Sequence, residues 1–320
     1  MKKAKLFIVS SIALIMLCSC ASTPESGEGS KSNNPKQNSE KTSAVVQETP
    51  EDKFIKSLEG ISITNTDTPK EVESGKSFAK PFTFLVTSSD GTPVSDFPVT
   101  ISYPASKSDN TINFATTDLR TDENGNVSFT PDKTSFAAKT KLTAYPTPDT
   151  DSETLLERVK KFSAEADWKV KSDIKSKGAA LFVWDFNEKG RPENNSYNIQ
   201  AEFRSRGITN VGNGPVNESS YIGNTKALYK DTYEIIQTSV YGYLIFGTIK
   251  YEEPVTAKED GNGYYCVLKA EIGILNMKDG SQVYSAEISH KAEGKNWSEC
   301  VSKAKDKLSE LVVDDIMYGL

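Results

Sequence analysis

Ala179-Ala180-Leu181-Phe182-Val183-Trp184 is the stretch on which the fold turns. A half-exposed strand alternates apolar and polar residues, so an unbroken apolar run of this length suits a strand buried on both faces. A helical stretch follows, and then a short strand around Ile208 to Val211. In the next segment Leu228, Thr232, Ile235, Ile236, Ser239, Val240 and Tyr243 recur at helical spacing. Leu244 to Ile249, a long hairpin and a terminal helix complete the block. The order β-α-β-α-β-β-β-α over residues 178–320 predicts an α/β domain with one mixed sheet.

The terminal helix announces itself. Asn296 is placed to cap it, with Glu299 three residues on, as in a capping box. Trp297, Val301, Ala304, Leu308, Leu311 and Val312 form one apolar stripe, so this helix closes over the sheet. The hairpin before it sets its own register. Cys266, Leu268, Ala270, Ile272 and Ile274 alternate on one strand, and Tyr284, Ala286, Ile288 and His290 on the other. A loop of Lys278-Asp279-Gly280, with Gly280 left-handed, sets Ile272 across from Ala286 and Leu268 across from His290. Both apolar sets then share a face, which a two-residue Asp279-Gly280 turn would not allow.

At 320 residues the chain has room for two domains with real cores. Lys2, Lys3 and Lys5 precede an apolar run from Leu6 to Leu17 that is short for a permanent membrane span. Leu17-Cys18-Ser19-Cys20 then resembles the lipobox of bacterial lipoproteins, with Cys18 a less usual residue at its position. The resemblance implies removal of residues 1–19 as a signal peptide. It also implies lipidation of Cys20 by a diacylglyceryl group and an amide-linked acyl chain of palmitate type. Such an anchor places the protein in the cell envelope, with the periplasmic face of the outer membrane the expected position and the inner membrane or the cell surface left open. Removing residues 1–19 takes three lysines and no acid, leaving 35 basic against 44 acidic groups, a net charge of −9. That balance argues against nucleic acid as a partner and leaves the acyl chains as the membrane contact.

Residues 20–54 are polar and poor in large apolar side chains, and read as a disordered tether with a reach of roughly 30 Å. Residues 55–150 carry short alternating runs, Phe82/Phe84/Val86 and Val99/Ile101/Tyr103 among them, between turn signals, and predict a β-sandwich. Within it, Asp90-Gly91-Thr92-Pro93-Val94 and Thr121-Asp122-Glu123-Asn124-Gly125-Asn126-Val127 resemble the bacterial immunoglobulin-like repeats of intimin and invasin type. In that family such modules are spacers or adhesive units. Residues 151–177 read as a charged link with a short helix from Leu155, Leu156, Val159 and Phe162. The chain as a whole is thus expected to be α+β and multidomain.

The block 178–320 is similar in its order of elements to a group of envelope proteins. These are the curli secretion lipoprotein, the N-terminal part of the Tol-system propeller protein, and lipoprotein activators of penicillin-binding proteins. The strand into Asp185, the Leu244-Ile245-Phe246-Gly247-Thr248-Ile249 strand, the Asp279-Gly280 hairpin and the closing helix carry the similarity. It implies a protein-binding module or an oligomerisation unit.

Little in the chain points to chemistry. His290 is the only histidine and sits on a strand face beside Ile288, where a partly buried imidazole is the ordinary reading. No serine or cysteine is placed to use it as a base, and a histidine-based metal site would have one ligand. Asp122 to Asn126 offers alternate oxygens, but its glycine falls one place early for a calcium loop and no closing glutamate follows. Pro215 removes a backbone donor from Gly212-Asn213-Gly214, which therefore makes a poor phosphate loop. Glu252-Glu253 and Glu259-Asp260 lie in a polar connection. No catalytic residue, cofactor or metal is assigned.

With Cys18 removed and Cys20 lipidated, Cys266 and Cys300 remain. The hairpin register brings them near each other, so the sequence admits a disulfide or two separately buried thiols. Tyr251 and Tyr265, at a sheet rim, are the candidate partner-binding residues. The chain thus reads as a lipid-anchored, non-enzymatic accessory factor that binds an envelope protein, with self-association admitted. A surface adhesin using the sandwich is the alternative, and a subunit of a secretion-channel-like oligomer the third reading.

Overall fold

The computed structural model describes residues 48–108, 111–236 and 241–320. The expected signal peptide, the expected lipidation site Cys20 and most of the expected tether lie outside the described residues. The protein is α+β, with antiparallel and mixed sheets and several helices.

The part expected to be tether up to residue 54 already folds before that. Helix α1 (Pro50–Ser57) begins on Thr49, whose hydroxyl accepts from the Asp52 N–H while Asp52 answers on the Thr49 N–H. Phe54 and Ile55 turn inward against Leu58, Tyr145, Leu155 and Val159. Strands β1 (Ser62–Asp67), β2 (Val72–Glu73), β3 (Phe82–Thr87), β4 (Pro98–Ser108), β5 (Thr111–Arg120), β6 (Asn126–Phe129) and β7 (Ala138–Pro146) follow. Next come α2 (Glu153–Val159) and β8 (Ala164–Lys171).

One sheet has the order β1-β3-β6 and the other β2-β8-β7-β4-β5. Their facing side chains make one core around Phe82, Phe84, Ile101, Leu142 and Trp168. The stretch 151–177 is therefore not a link throughout. Ala164 to Lys171 pairs with β7 from Ala144 to Ala138, and its alternate residues Ala166, Trp168 and Val170 are buried. Trp168 stacks on Phe82 at 5.6 Å and meets Phe78 edge-on at 5.0 Å. The charges of Glu165, Asp167, Lys169 and Lys171 lie on the other side of the same strand, as a period of two demands.

The second unit runs through α3 (Ile174–Lys177), β9 (Ala179–Phe186), β10 (Pro192–Asn195), α4 (Tyr197–Ser205), β11 (Val211–Asn213) and α5 (Thr225–Ile236). Strands β12 (Tyr243–Ala257), β13 (Tyr264–Asn276) and β14 (Gln282–Gly294) and helix α6 (Trp297–Gly319) complete it. Its sheet has the order β10-β9-β12-β13-β14, with β11 beside the start of β9. β9 is parallel to β11 and β12 and antiparallel to β10. Two differences from the expected order appear. β10 is an additional edge strand, and Tyr243 opens β12 rather than ending the second helix.

β9 is buried on both faces from Ala179 to Asp185. Leu181 and Val183 join the core under α4 and α6, while Ala180, Phe182 and Trp184 join a smaller one with Leu228 and Leu244. Its free edge between β10 and β11 is completed by a side chain. The Asn195 amide accepts from the Val183 N–H at 2.7 Å and donates to the Leu181 carbonyl at 2.9 Å.

The β13–β14 ladder sets Cys266 opposite Ala292, Leu268 opposite His290 and Ile272 opposite Ala286. Nearest the turn Asn276 pairs with Ser281, and a register shift between Ile274 and Leu275 absorbs the extra residue. Gly280 takes φ of 72° there. At the start of α6 the Asn296 side chain accepts from Glu299 N–H at 2.9 Å, while Glu299 receives the Lys295 N–H at 3.0 Å.

The far end of α6 joins the two units. The Ser172 N–H donates to the Met317 carbonyl at 2.7 Å, and the Lys107 ammonium to that of Gly319. Tyr318 donates to Glu71 at 3.0 Å, and Lys139 pairs with Asp314 at 3.0 Å. Arg206 of the segment after α4 reaches the same Asp314 at 3.0 Å. Burial raises the Glu71 carboxyl, but Lys171 and Tyr318 outweigh it and hold it below its ordinary value. Burial acts likewise on Asp314, and Lys139 and Arg206 again win. Carboxylates depressed in this way contribute stability above their unfolded pKa and lose it as pH falls through the folded one. The joint is therefore expected to loosen before either core melts as pH drops below the ordinary carboxylate range. Hydrogen exchange at Ser172 and Tyr318 against pH, compared with Trp168, checks this.

Candidate functional site

The two faces of the second sheet are covered unequally. On one face α4 and α6 bury Leu268, Ala270, Ile272 and Ile274. On the other, α5 and the residues before it cover only the end nearest Leu244, Leu275 and Met277. Between that cover and β14 lies a groove of about 620 Å³. Phe182 and Phe246 form its floor, Tyr221, Ile222 and Leu228 one wall, and Glu271, Ser285 and Glu287 the other. Gly273 keeps the floor flat. A Cβ there would meet the Phe246 ring at 2.3 Å, so the ring lies across a glycine on the neighbouring strand.

Two hydrogen-bonding groups at this end of the sheet lack partners. The Thr248 hydroxyl, in the groove lining, and the indole N–H of its cross-strand neighbour Trp184 are buried and bond to nothing among the described residues. Such groups cost stability while they stay unpaired.

Tyr251 and Tyr265 do not make one rim. Tyr251 pairs with Leu268 and packs on the helix-covered core, where burial and then Glu188 hold its hydroxyl well above the ordinary range. Tyr265 is on the opposite, open face, with the Lys291 ammonium 4.3 Å from its ring centre. Two register shifts in β12, after Tyr251 and after Glu253, lie between them.

Cys266 and Cys300 do come together. Both are fully buried, their sulfurs are 3.5 Å apart as free thiols, and Cys300 also approaches the Ala292 carbonyl. Gly294 permits this, since a Cβ there would stand 2.3 Å from the Cys300 nitrogen. Burial, then the neighbouring thiol, pushes Cys266 up to about 12. A thiol held so high is not a nucleophile at neutral pH. His290 sits half-buried on the α6 face opposite Leu268. The Asp122 carboxylate is taken up by the N–H groups of Asn124 at 2.9 Å and Asn126 at 2.8 Å, which makes its loop a turn.

Beneath α6 one buried charge stands out that the sequence did not mark. Asp185, 3% exposed at the end of β9, pairs with Lys305 at 3.0 Å. Burial raises its carboxyl above the ordinary value, and Lys305 only partly offsets that. One carboxylate oxygen and the nearby Ser196 hydroxyl have no hydrogen-bond partner among the described residues. The pair fastens α6 across the sheet rather than facing an open cleft.

Residues 178–317 match the model of a family described as TP0693-like lipoprotein, C-terminal domain. That match supports a bacterial lipoprotein. Among solved structures, the chain is similar to a PelC dodecamer from Paraburkholderia phytofirmans, at 17% identity over 45% of this chain and 90% of that one, with a TM-score of 0.31. It is similar to the hypothetical protein CT253 from Chlamydia trachomatis, at 10% identity over 44% and 95%, with a TM-score of 0.28. It is also similar to lipoprotein GNA1162 from Neisseria meningitidis, at 15% identity over 43% and 97%, with a TM-score of 0.25. No curated protein matches. Among the described residues no helix is long and apolar enough to cross a membrane.

Two outcomes are expected. Lys305→Met strands the Asp185 carboxylate and costs about 3 kcal/mol in urea unfolding, and adding Asp185→Asn restores most of it. Oxidation of Cys266 and Cys300 closes a loop with a sequence separation of 34 residues. It adds about 3 kcal/mol, read as a urea midpoint that falls on reduction.

Proposed function

We propose that the protein is a lipid-anchored, non-enzymatic accessory factor of the bacterial envelope that holds a segment of a protein partner in the β12–β14 groove. The observation that carries this reading is the groove over Phe182 and Phe246, left uncovered by α5, with the Thr248 hydroxyl in its lining and unpartnered among the described residues. An apolar floor with few, well-placed polar groups is the usual make-up of a recognition site. An extended segment running along such a face contributes backbone carbonyls, and the Thr248 hydroxyl in the groove lining is the donor nearest to them once the partner displaces its cover.

Several finer parts belong to the same reading. Cys20 carries the lipid, and the anchor holds the protein at the outer membrane on the periplasmic side. The N-terminal pair of sheets acts as an immunoglobulin-like spacer between membrane and groove. The second unit is of the curli-secretion, Tol-propeller and penicillin-binding-protein-activator kind, and serves as a binding module. Tyr265, further along the open face, extends the partner contact, whereas Tyr251 supports the core. A thiol at about 12 speaks against Cys266 as a catalytic group.

Two measurements test this. The mass of the purified protein should show residues 1–19 removed and Cys20 triacylated. A photo-crosslinking residue at Glu271 should yield one defined protein adduct in cells, and the same residue at exposed Tyr197 should not. An unmodified Cys20, or a small-molecule conversion lost on changing Thr248, would sink the reading.

A further inference from the structure

β14 is an outer edge of its sheet. It pairs with β13 alone from Gln282 to Gly294, and no described residue bonds to its other side by backbone. Proteins usually blunt such an edge with charged side chains, proline, a bulge or a covering loop, because a long bare edge is a template for another strand; of these β14 has charges, Glu287, Lys291 and Glu293. The only irregularity here is next to the turn, between Ile274 and Leu275, and no proline lies in β14.

The charges along this edge are also incomplete. On the open face Glu271 stands directly opposite Glu287, a like pair that is unfavourable across two strands. Lys269 bridges it from one side, at 2.7 Å from Glu287 and 3.7 Å from Glu271. On the edge side of Glu287 there is nothing. One step along the same face from Ser289, Lys291 faces the uncharged Val267 and reaches only the Tyr265 ring.

We infer that β14 pairs antiparallel with β14 of a second copy of this chain, about a two-fold axis through Ser289, joining two sheets into one. An axis normal to the sheet keeps each residue on its own face, so the register can be enumerated. With the axis at Ser289, Glu287 of each copy meets Lys291 of the other, and each like-charged row gains its missing cation. On the opposite face Ile288 meets His290 and Ala286 meets Ala292. An axis at Ile288 instead leaves Glu287 opposite Ser289 and Lys291 opposite Ser285. An axis at His290 sets Glu287 against Glu293, and one at Glu287 sets it against itself. An axis at Ala292 also sets opposite charges together, Lys291 against Glu293, but its ladder spans only His290 to Gly294 and Glu293 is already held by Lys258. Ser289 is the axis that pairs opposite charges, twice, and keeps a long ladder. The ladder then extends from Tyr284 to Gly294 on both copies.

Sedimentation velocity of the full chain in density-matched detergent, over a range of concentrations, tests the pairing. The chain should be a reversible dimer. Glu287→Lys, which sets like charges together at both ends, should weaken it by roughly tenfold or more, and Lys291→Glu should do the same. The double swap should restore it, which a merely misfolded variant could not do. Ser289→Cys places two thiols opposite each other on the axis, within disulfide reach, and should give a covalent dimer on mild oxidation. Val283→Cys, and the unaltered chain with its own cysteines, should not. A monomer throughout the range overturns the inference. So does an oligomer indifferent to Glu287→Lys, a failed rescue by the double swap, or equal crosslinking at residues 283 and 289. The crosslink from Glu271 to a different protein is independent of these outcomes, so groove and edge fail or stand separately.

Discussion

Burial of β9 on both faces constrains everything around it. A strand with Ala180, Phe182 and Trp184 on one side and Leu181 and Val183 on the other needs cover above and below. Its backbone needs partners on both edges as well, because an unpaired buried amide or carbonyl is costly. One edge goes to β12 in parallel register from Ala179 to Asp185. The other is shared among β11, β10 and the Asn195 side chain. Parallel pairing of β9 with β12 requires the long crossover that α4, β11 and α5 supply.

The cover on the two sides differs in quality. α6 is a long amphipathic helix with Ala304, Leu308, Val312 and Ile316 fully buried, fixed at Asp185 near one end and to the other unit at the far end. The opposite face has the shorter α5, in which only Leu228 and Thr232 are buried. That imbalance leaves Phe246, Thr248 and Gly273 beside open space. It also separates the two tyrosines expected at one sheet rim, giving Tyr251 to the closed face and Tyr265 to the open one.

Much of this was legible before any coordinates. Long strands with strict alternation fix their register, because a slip of one residue turns every side chain to the wrong face. The β13–β14 ladder was readable for that reason, and α6 from its cap and its apolar stripe. β8 was not, although Ala164, Ala166, Trp168 and Val170 alternate, because the intervening charges resemble a solvated link. β10, Pro192 to Asn195, has no apolar residue and exists only as an edge for β9, so no local signal marks it. α1 carried a readable cap in Thr49-Pro50-Glu51-Asp52 that polar composition on either side obscured. The Asp185–Lys305 pair is invisible in principle, since 120 residues separate its members.

The joint at the end of α6 also bears on how the chain reaches its native state. Tyr318 and Glu71 are 247 residues apart, and Lys107 and Gly319 are 212 apart. Loops of that size close slowly and gain nothing until both ends are already shaped. The joint therefore depends on both cores, and contacts of that separation are expected to form after the local ones within each core. When the joint is open, the Met317 and Gly319 carbonyls lose Ser172 and Lys107 as donors and turn to water instead.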